Sequence, residues 1–408
     1  DTTTITVDGA AVGDLVMAAD PATGESVPSR VLAVHRAGSK EVFRVTFSDG
    51  GSFDASADHA LPLYVNAGRK TSKGHRTVPR MRRLGDYLEA IPRRTVAKRL
   101  ACLSPTNVRF RAAGTLGIPP YLLGALLGDG SLGPPLRFHN SHAGVLARVT
   151  EAVNDFGLTL VHYGRYDYGI SSGRTTRTKQ NRLVEAVRNL GLGKTNSYTK
   201  FIPPAAWGLG RAGRLDLLAG LVDTDGTAHS YSTCSVRLAF DVAKLVRSLG
   251  GKATVQHKTT RCQTGAVVKS FVIYWRLNEA LPLSVRYKHQ PAGKRPVDYA
   301  RRVCRAVRSL GLLECGDLTV AHPAHCYITG DWVIVSNSGK TDSTLAELCA
   351  LSTGVIPLSL RDEPAFLSKF RGPIRIRIVC KSLTTNLYEV MIRKLRWFEW
   401  NGIGQPGS

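Results

Sequence analysis

Two short apolar segments constrain the fold of this chain more than any other feature. They are LLGALLGDG at residues 122–130 and LAGLVDTDG at residues 218–226, and each predicts an apolar helix that ends at an Asp-Gly pair. Small residues within them would let two helix backbones approach closely. These residues are Gly124, Gly128, Ala219 and Gly220. Helix and strand patterns surround both segments in the same order, roughly 96 residues apart, which predicts an internal duplication.

Close packing of the two helices would place Asp129 and Asp225 side by side at the helix ends. A helix C-terminus disfavours negative charge, and two neighbouring carboxylates repel each other unless a cation lies between them. Hard divalent cations prefer carboxylate oxygens, and paired metal ions activate water in phosphodiester hydrolysis. The alternative interpretation is that each Asp-Gly pair only ends a helix. Two copies in a strongly basic chain favour the cation site.

The net charge indicates a polyanionic partner. The 408 residues include 55 Lys and Arg against 31 Asp and Glu, which gives a net charge of +24. Duplex DNA is the densest polyanion that could balance this excess, and RNA or ribosome binding is the alternative. Eight cysteines without a CxxC pair argue against a zinc site and a dense disulfide framework. Without a signal peptide or a membrane-spanning run, the sequence predicts a soluble, cytoplasmic protein of a bacterial or phage-infected cell.

The residue pattern divides the chain into four segments. Residues 1–100 and 301–337 have the alternating, turn-rich pattern of short strands, and residues 101–300 between them mix helices with strands. Residues 338–408 form a further segment that starts with a helical pattern. Within the first segment, residues 66–100 contain eleven Lys or Arg and two acids, which predicts either a DNA-contacting arm or a solvated connector. The sequence therefore predicts a β module interrupted by an α/β module.

The apolar segments also resemble a known motif. The segment at 218–226 resembles LAGLIDADG almost letter for letter, and the segment at 122–130 is a looser copy. The α/β module is therefore similar to single-chain LAGLIDADG homing endonucleases. That resemblance implies two pseudo-symmetric αββαββα halves, whose sheets form a saddle that reads a long asymmetric DNA site. It also implies that Asp129 and Asp225 hold Mg²⁺ at the scissile phosphates.

The same resemblance implies basic catalytic residues. KFIPPAAW resembles the family block that contains one, and this assigns the role to Lys200. In the second half Lys288 and Lys294 are both candidates. Lys294 is preferred because KRPVDYARRV directly precedes the returning β segment. Phosphate contact or plain solubility is the alternative role for any of these lysines.

The flanking β segments resemble the splicing blocks of inteins, in which homing endonucleases of this type often reside. SFDASADHALPL resembles the block written T-x-x-H, with Ser56 and His59 in the Thr and His positions. This implies that His59 assists the first acyl shift. DLTVAHPAHCYITGDWVIVSN resembles the C-terminal blocks and matches Asp317, His325 and the terminal Asn337. The side-chain amide of that Asn would attack its own carbonyl and cleave the chain.

Three further positions bear on the splicing resemblance. Ser338 follows the terminal Asn and would accept the acyl group. Ser336 stands where inteins usually have His, which leaves more of the catalysis to His325. The chain begins at Asp1 and not at a Cys or Ser, so the usual first acyl shift lacks its nucleophile. The resemblance therefore implies that the opening residues of an intein are missing, with a degenerate insert as the alternative.

The last segment starts with a partial phosphate-binding motif. Ser338-Gly339-Lys340-Thr341 matches the end of G-x-x-x-x-G-K-[ST], in which backbone amides and Lys hold phosphates and Thr binds Mg²⁺. Residues 338–408 therefore resemble the start of a P-loop ATPase, with a phage terminase large subunit as the first choice and a helicase as the second. ATP would bind only to the complete spliced host protein.

Together these resemblances predict an α+β multidomain fold. An all-β Hint (hedgehog-intein) splicing domain, 1–100 and 301–337, would be split by a pseudo-symmetric αββαββα LAGLIDADG endonuclease at 101–300. A short α/β P-loop ATPase fragment would follow at 338–408. The predicted function is protein splicing, which needs no cofactor, together with Mg²⁺-dependent cleavage of double-stranded DNA at the empty host allele. The endonuclease would be monomeric and away from membranes, with the exteins of the host ATPase as further partners.

Two alternatives belong to other classes of protein. The first is a catalytically inactive DNA-binding relic that kept the helical scaffold. The second is a plain P-loop ATPase that carries a passive insertion.

Overall fold

The structure is a computed structural model, and it describes residues 7, 9–66, 77–89, 101–110, 116–172, 181–261, 267–289 and 301–337. The chain divides into two compact units, Asp1–Asn337 and Ser338–Ser408, and all described residues belong to the first. Lys294 and the phosphate-binding segment 338–341 lie outside the described residues. No described helix is long and apolar enough to cross a membrane.

The described strands are short apart from β2, β14, β15 and β16. In chain order they are β1 (Leu15–Ala19), β2 (Glu25–Phe47), β3 (Ser52–Ser56), β4 (Ala60–Asn66), β5 (Thr77–Arg83), β6 (Ala101–Leu103), β7 (Asn107–Val108), β8 (Gly130–Ser131), β9 (Arg137–His139), β10 (Thr159–Gly164), β11 (Asp167–Ser171), β12 (Gly226–Thr227), β13 (Ser230–Thr233), β14 (Lys252–Arg261), β15 (Val267–Arg276), β16 (Arg301–Val320), β17 (Cys326–Ile328) and β18 (Ile334–Ser336).

The described helices lie mainly in the α/β module. They are α1 (Leu84–Leu88), α2 (Pro120–Asp129), α3 (Ala143–Asn154), α4 (Arg182–Asn189), α5 (Arg211–Asp225) and α6 (Val236–Ser248). The starts of α2, α4 and α6 follow ordinary capping chemistry. Proline occupies the first turn of α2, and the side chains of Asn181 and Ser235 accept backbone N–H bonds at the starts of α4 and α6.

Strands from both ends of the first unit form one ten-stranded sheet. The long strands β2 and β16 pair antiparallel, from Val31 opposite Val320 to Phe47 opposite Cys304. The strand order is β18-β17-β1-β2-β16-β6-β4-β5, and β3 and β7 also pair with β2. Alternating side chains such as Val45 and Phe47 point into a buried apolar core. Residues after 300 therefore complete a sheet that begins before residue 110, and the α/β module lies between them in the chain.

The α/β module consists of two halves with the same element order. The first half runs α2-β8-β9-α3-β10-β11-α4, and its sheet has the order β10-β11-β9-β8. The second half runs α5-β12-β13-α6-β14-β15, with the sheet order β12-β13-β15-β14. Between β15 and β16, the short turn Arg286–Lys288 is the one helical element within the described residues. Both halves share one apolar core. These observations do not test the predicted Hint and LAGLIDADG folds, and both assignments stay predictions.

Helices α2 and α5 pack with their backbones in contact. A β-carbon on Gly124 would lie 2.9 Å from the backbone nitrogen of Leu221, and one on Gly220 would lie 2.7 Å from that of Ala125. Either position would also collide with a backbone carbonyl of the facing helix. Only glycine fits where two helices approach this closely. Because the contact runs along both helices, it brings their C-terminal ends together.

Two arginines, of which Arg214 is buried and Arg247 is half-buried, join the α/β module to the β module. The Arg214 guanidinium in α5 donates to the Val108 carbonyl at 2.6 Å and to the Ser248 carbonyl at 3.0 Å. Burial, and then the charge of Arg211, lower the pKa of Arg214 to about 10. In α6, Arg247 lies 3.5 Å from the Asp331 carboxylate of the β module. These contacts fix the position of α5 relative to the sheet.

The basic segment at 66–100 belongs partly to the β module. Residues 77–83 form β5, which pairs antiparallel with β4 from Thr77 opposite Asn66 to Arg83 opposite Ala60. Helix α1 follows directly, and Leu84 at its start is fully buried. This part is therefore more than a plain connector, because its backbone hydrogen bonds are made within a sheet. DNA contact by this segment stays a prediction.

We expect Gly220→Ala to destabilise the protein. Its methyl group would meet backbone atoms of α2, so the helices must separate, and overpacking of this kind costs about 1–3 kcal/mol. That cost exceeds the gain of up to about 1 kcal/mol that alanine brings to a helix interior. Urea unfolding of the full chain measures the difference. Gly133→Ala is the control, because a β-carbon there meets nothing within 4 Å, and equal midpoints for the two variants would contradict the packing argument.

Candidate functional site

The two predicted acids are the last residues of the two contacting helices. Asp129 ends α2 and Asp225 ends α5, and a glycine follows each. The two carboxylates are close enough to affect each other, because the charge of Asp129 raises the pKa of Asp225. The structure therefore brings together the two groups that the sequence had placed roughly 96 residues apart.

The surroundings of the two carboxylates make the charged form costly. Desolvation by the surrounding protein and the charge of Asp129 raise the pKa of Asp225 to about 6, although Asp225 itself is exposed to solvent. Burial also raises the pKa of Asp129, while a hydrogen bond from Asn140 and nearby positive charges oppose the rise. A cation bound between these two helix C-termini would therefore stabilise the charged form of both carboxylates.

Two buried lysines occupy matching positions beneath the helix ends. The Lys200 ammonium donates to the carbonyls of Leu126 and Gly128 in α2, at 3.2 and 2.8 Å. The Lys288 ammonium donates to three carbonyls at the end of α5, at 2.8–3.1 Å. Those carbonyls belong to Val222, Asp223 and Thr224. Each lysine thus binds carbonyls of the last helical turn, among them Gly128, Asp223 and Thr224, and its positive charge is favourable at the negative end of the helix dipole.

Burial changes the acidity of both lysines. It lowers the pKa of Lys200 to about 8, and the charges of Asp225 and Asp129 limit the fall. Burial also lowers the pKa of Lys288, opposed by Asp223, Asp129 and Asp225. Of the two lysines considered for the second half, Lys288 is the one that the structure places at the helix end.

A third acid holds the segment that carries Lys288. Asp223 is buried, and its carboxylate accepts the hydroxyl of Tyr121 at 2.8 Å and the backbone nitrogens of Ser284 and Val285 at 2.7 and 3.1 Å. These bonds tie α5, α2 and the segment 284–288 to one another. Sequence analysis missed this role, although an acid two residues before Asp225 in an apolar helix was a visible signal.

The donor set at the helix ends fits a hard divalent cation with few protein ligands. Among the described residues, no group of three or more His, Cys, Asp or Glu side chains could form a closed metal cage. Mg²⁺ commonly uses only one or two carboxylates and completes its shell with water and phosphate oxygens. Asp129 and Asp225 could supply those carboxylates, and their assignment as metal ligands stays a prediction.

The residues predicted in the β module form a separate polar cluster. Asp317 is buried in β16 and accepts the hydroxyl of Tyr327 at 2.8 Å. Burial lowers the pKa of His59, and the negative charge of Asp317 opposes that effect. The Asn337 side chain donates to the hydroxyl of Thr319 at 2.6 Å.

His325, the remaining predicted residue of the β module, lies beside the same cluster. The Asn337 backbone nitrogen donates to the carbonyl of His325 at 3.1 Å. Burial lowers the pKa of His325, while a hydrogen bond to the Val320 carbonyl opposes the effect. The structure thus brings His59, Asp317, His325 and Asn337 into one region, and it describes none of the residues that follow.

Comparison with known proteins gives one informative relative. No protein-family model matches the chain. The chain is 30% identical over 277 residues to a replicative DNA helicase DnaB from Mycobacterium intracellulare. The match covers 63% of this chain and 42% of the helicase, so the chain corresponds to less than half of that protein's length.

This similarity corrects the identity and function predicted from the motifs. The relative is named as a replicative helicase, and not as an intein, a homing endonuclease or a terminase. The predictions of protein splicing, of site-specific DNA cleavage and of a terminase-like host are therefore wrong on this comparison. The helicase considered as the second choice of host agrees with the relative's name.

Helix packing explains why the motif letters misled. Gly124 and Gly220 are needed wherever two helix backbones touch in this way, and an Asp-Gly pair is an ordinary helix end. A pattern that packing alone demands does not specify the chemistry that occurs beside it.

We expect Asp225→Asn to lower the pKa of Lys200 further, by about one pH unit. The Asp225 carboxylate is the largest influence that favours the charged ammonium, so its removal leaves burial less opposed. A titration of ¹³Cε-labelled lysines by NMR measures this pKa. Asp155→Asn is the control, because Asp155 is an exposed residue at the end of α3.

The same burial makes stability depend on pH. Because the pKa of Lys200 is lower in the folded state than its ordinary value of 10.5, the unfolded chain binds more protons between about pH 8 and 10.5. The contribution of Lys200 to the free energy of unfolding therefore rises with pH over that window. An unchanged Lys200 titration in Asp225→Asn would show that the two groups are not coupled.

Proposed function

We propose that the α/β module binds duplex DNA and holds a divalent cation between Asp129 and Asp225, next to the DNA backbone. The observation that carries this proposal is the close packing of α2 and α5. It places two carboxylates at adjacent helix ends in a chain with a net charge of +24. A basic protein is attracted to DNA, and a pair of acids facing a phosphate is tolerable only with a cation between them.

The outer faces of the two sheets support a DNA-binding role. In the first sheet, Arg137, His139 and Tyr163 lie on the face opposite the core. In the second sheet, the exposed side chains of Lys258 and Tyr274 lie on the corresponding face. Arginine and lysine contact phosphates and guanine edges, and β-strands can enter the major groove.

The arrangement of the halves also suits a duplex. Two halves with the same element order are joined through α2 and α5, and each half presents its own four-stranded sheet. A protein with two related halves matches the two strands of DNA, as dimeric readers match two half-sites. The helix ends that carry the acids then fall at the junction between the halves.

The cation would be held by oxygens of the protein and of the bound DNA. Asp129 and Asp225 are the carboxylates in this chain that would bind it, and Mg²⁺ is the first choice because it uses few carboxylates together with phosphates. When bound, the cation would neutralise charge between the acids and the DNA backbone. Lys200 and Lys288 keep the helix ends in place through their bonds to the terminal carbonyls.

The similarity to a replicative helicase supports an enzymatic role for the whole protein. We include in the proposal that the complete protein acts on DNA with a nucleotide whose phosphates bind at Gly339, Lys340 and Thr341. A GKT segment alone occurs often by chance. The helicase name of the relative is what favours this assignment.

Duplex binding and its dependence on a cation provide the test. We expect the full chain to bind a fluorescein-labelled duplex, with an affinity that falls by about 10³-fold or more between about 50 and 200 mM salt. Adding Ca²⁺ at constant ionic strength should tighten binding by about 5- to 150-fold, the usual range for coupled sites. Divalent cations normally compete with basic proteins for DNA, so a gain requires a cation that the protein itself holds.

The variant Asp129→Asn with Asp225→Asn separates the two contributions. Without divalent cations it should bind DNA more tightly than the unaltered chain, because two negative charges near the phosphates are gone. It should also lose the Ca²⁺ gain. Asp155→Asn is the control and should keep that gain. If Ca²⁺ weakens DNA binding equally in all three proteins, the cation site does not exist, and if no duplex binds at low salt, the proposed function is wrong.

A further inference from the structure

The two carboxylates at the helix ends are held differently by their surroundings. The side-chain nitrogen of Asn140 donates to one carboxylate oxygen of Asp129, Oδ2, at 2.7 Å. The side-chain oxygen of Asn140 accepts the backbone nitrogen of His142 at 2.7 Å, and the backbone nitrogen of Asn140 donates to the Tyr166 carbonyl at 3.0 Å. Because both ends of the amide are engaged, its orientation is fixed and its nitrogen faces the carboxylate.

The second half lacks this arrangement. Thr233 occupies the position that corresponds to Asn140. In each half, the glycine after the acid pairs with a strand residue, and Asn140 or Thr233 lies two residues after that strand residue. The Thr233 hydroxyl accepts the backbone nitrogen of Ser235 at 3.1 Å, as Asn140 accepts that of His142. The threonine side chain is shorter than asparagine and has no amide nitrogen. Within the described part of the chain, no side chain donates a hydrogen bond to Asp225.

A carboxylate that is already oriented binds a cation more tightly than one that must be ordered. Hydrogen bonds from the second shell hold metal ligands in position, and their removal typically costs about 10- to 100-fold in metal affinity. At Asp129 the bond from Asn140 occupies Oδ2 and leaves Oδ1 oriented for a ligand. At Asp225 both oxygens must be ordered when a cation binds.

We propose that Asn140 is a positioning residue that makes the cation site asymmetric, with the cation held mainly through Asp129 and only secondarily through Asp225. This inference rests on the proposed cation site. The two strands of a bound duplex are then not equivalent, because the strand beside Asp129 meets the better-held cation. The asymmetry arises from one side-chain difference between halves that share the same backbone order.

The test is a double-mutant cycle on Mn²⁺ affinity, measured by electron paramagnetic resonance on the full chain bound to duplex DNA. We expect Asp129→Asn to weaken Mn²⁺ binding more than Asp225→Asn does. Asn140→Ala alone should weaken it by about 10- to 100-fold. In the Asn140→Ala background the two Asp substitutions should become nearly equal, which a general loss of structure would not produce.

Two further variants control the experiment. Asn154→Ala removes an exposed asparagine from the end of α3 and should leave Mn²⁺ affinity unchanged. Thr233→Asn introduces the missing donor and should increase the share of Asp225, so that Asp225→Asn costs more in that background. Urea midpoints measured in parallel identify any variant that loses affinity by unfolding.

The outcomes distinguish this inference from the proposed function. Failure of the unaltered chain to bind Mn²⁺ in the complex overturns the cation site and the asymmetry together. Binding in which Asp129→Asn and Asp225→Asn cost the same, with or without Asn140, overturns the asymmetry and leaves the cation site intact.

Discussion

The contact between the backbones of α2 and α5 is the interaction on which the rest of the α/β module depends. Gly124 and Gly220 make it possible, because any side chain at either position would collide with the facing backbone. The contact joins the two halves through one apolar core and brings both helix ends to the same place. The relation between the acids, the lysines beneath them and the two sheets follows from this one packing arrangement.

Two lysines close to the helix ends offset the electrostatic cost of placing Asp129 and Asp225 side by side. Asp129 and Asp225 lie where helix dipoles and desolvation both disfavour a carboxylate. Lys200 and Lys288 reduce that cost by binding the terminal carbonyls, at the expense of their own burial. Because the lysines bind backbone carbonyls, they do not occupy the carboxylate oxygens, and Oδ1 of Asp129 and both oxygens of Asp225 stay available to an outside cation. The same positions therefore serve the fold and the proposed site.

The correction of the identity shows where motif reasoning reached its limit. The segment at 218–226 has letters that close helix packing and a helix end require, and those letters carried a resemblance to an endonuclease family. The relative found by comparison is named as a replicative helicase. Packing constrains sequence strongly, whereas reaction chemistry depends on a few polar groups whose positions the motif does not include.

Local pattern was enough to predict the two apolar helices, their closing Asp-Gly pairs and the strand-rich ends of the chain, because period and turn residues act over a few positions. It was also enough to predict that Asp129 and Asp225 belong together, since small residues on both helices indicate close approach. Sequence preferred Lys294, which lies outside the described residues, and it did not find the contacts of Lys288, Asn140 and Asp223. Their roles depend on which carbonyl or carboxylate lies within hydrogen-bond reach after distant segments have packed. Only the tertiary structure decided those distances, because they are set by long-range contacts and not by neighbours along the chain.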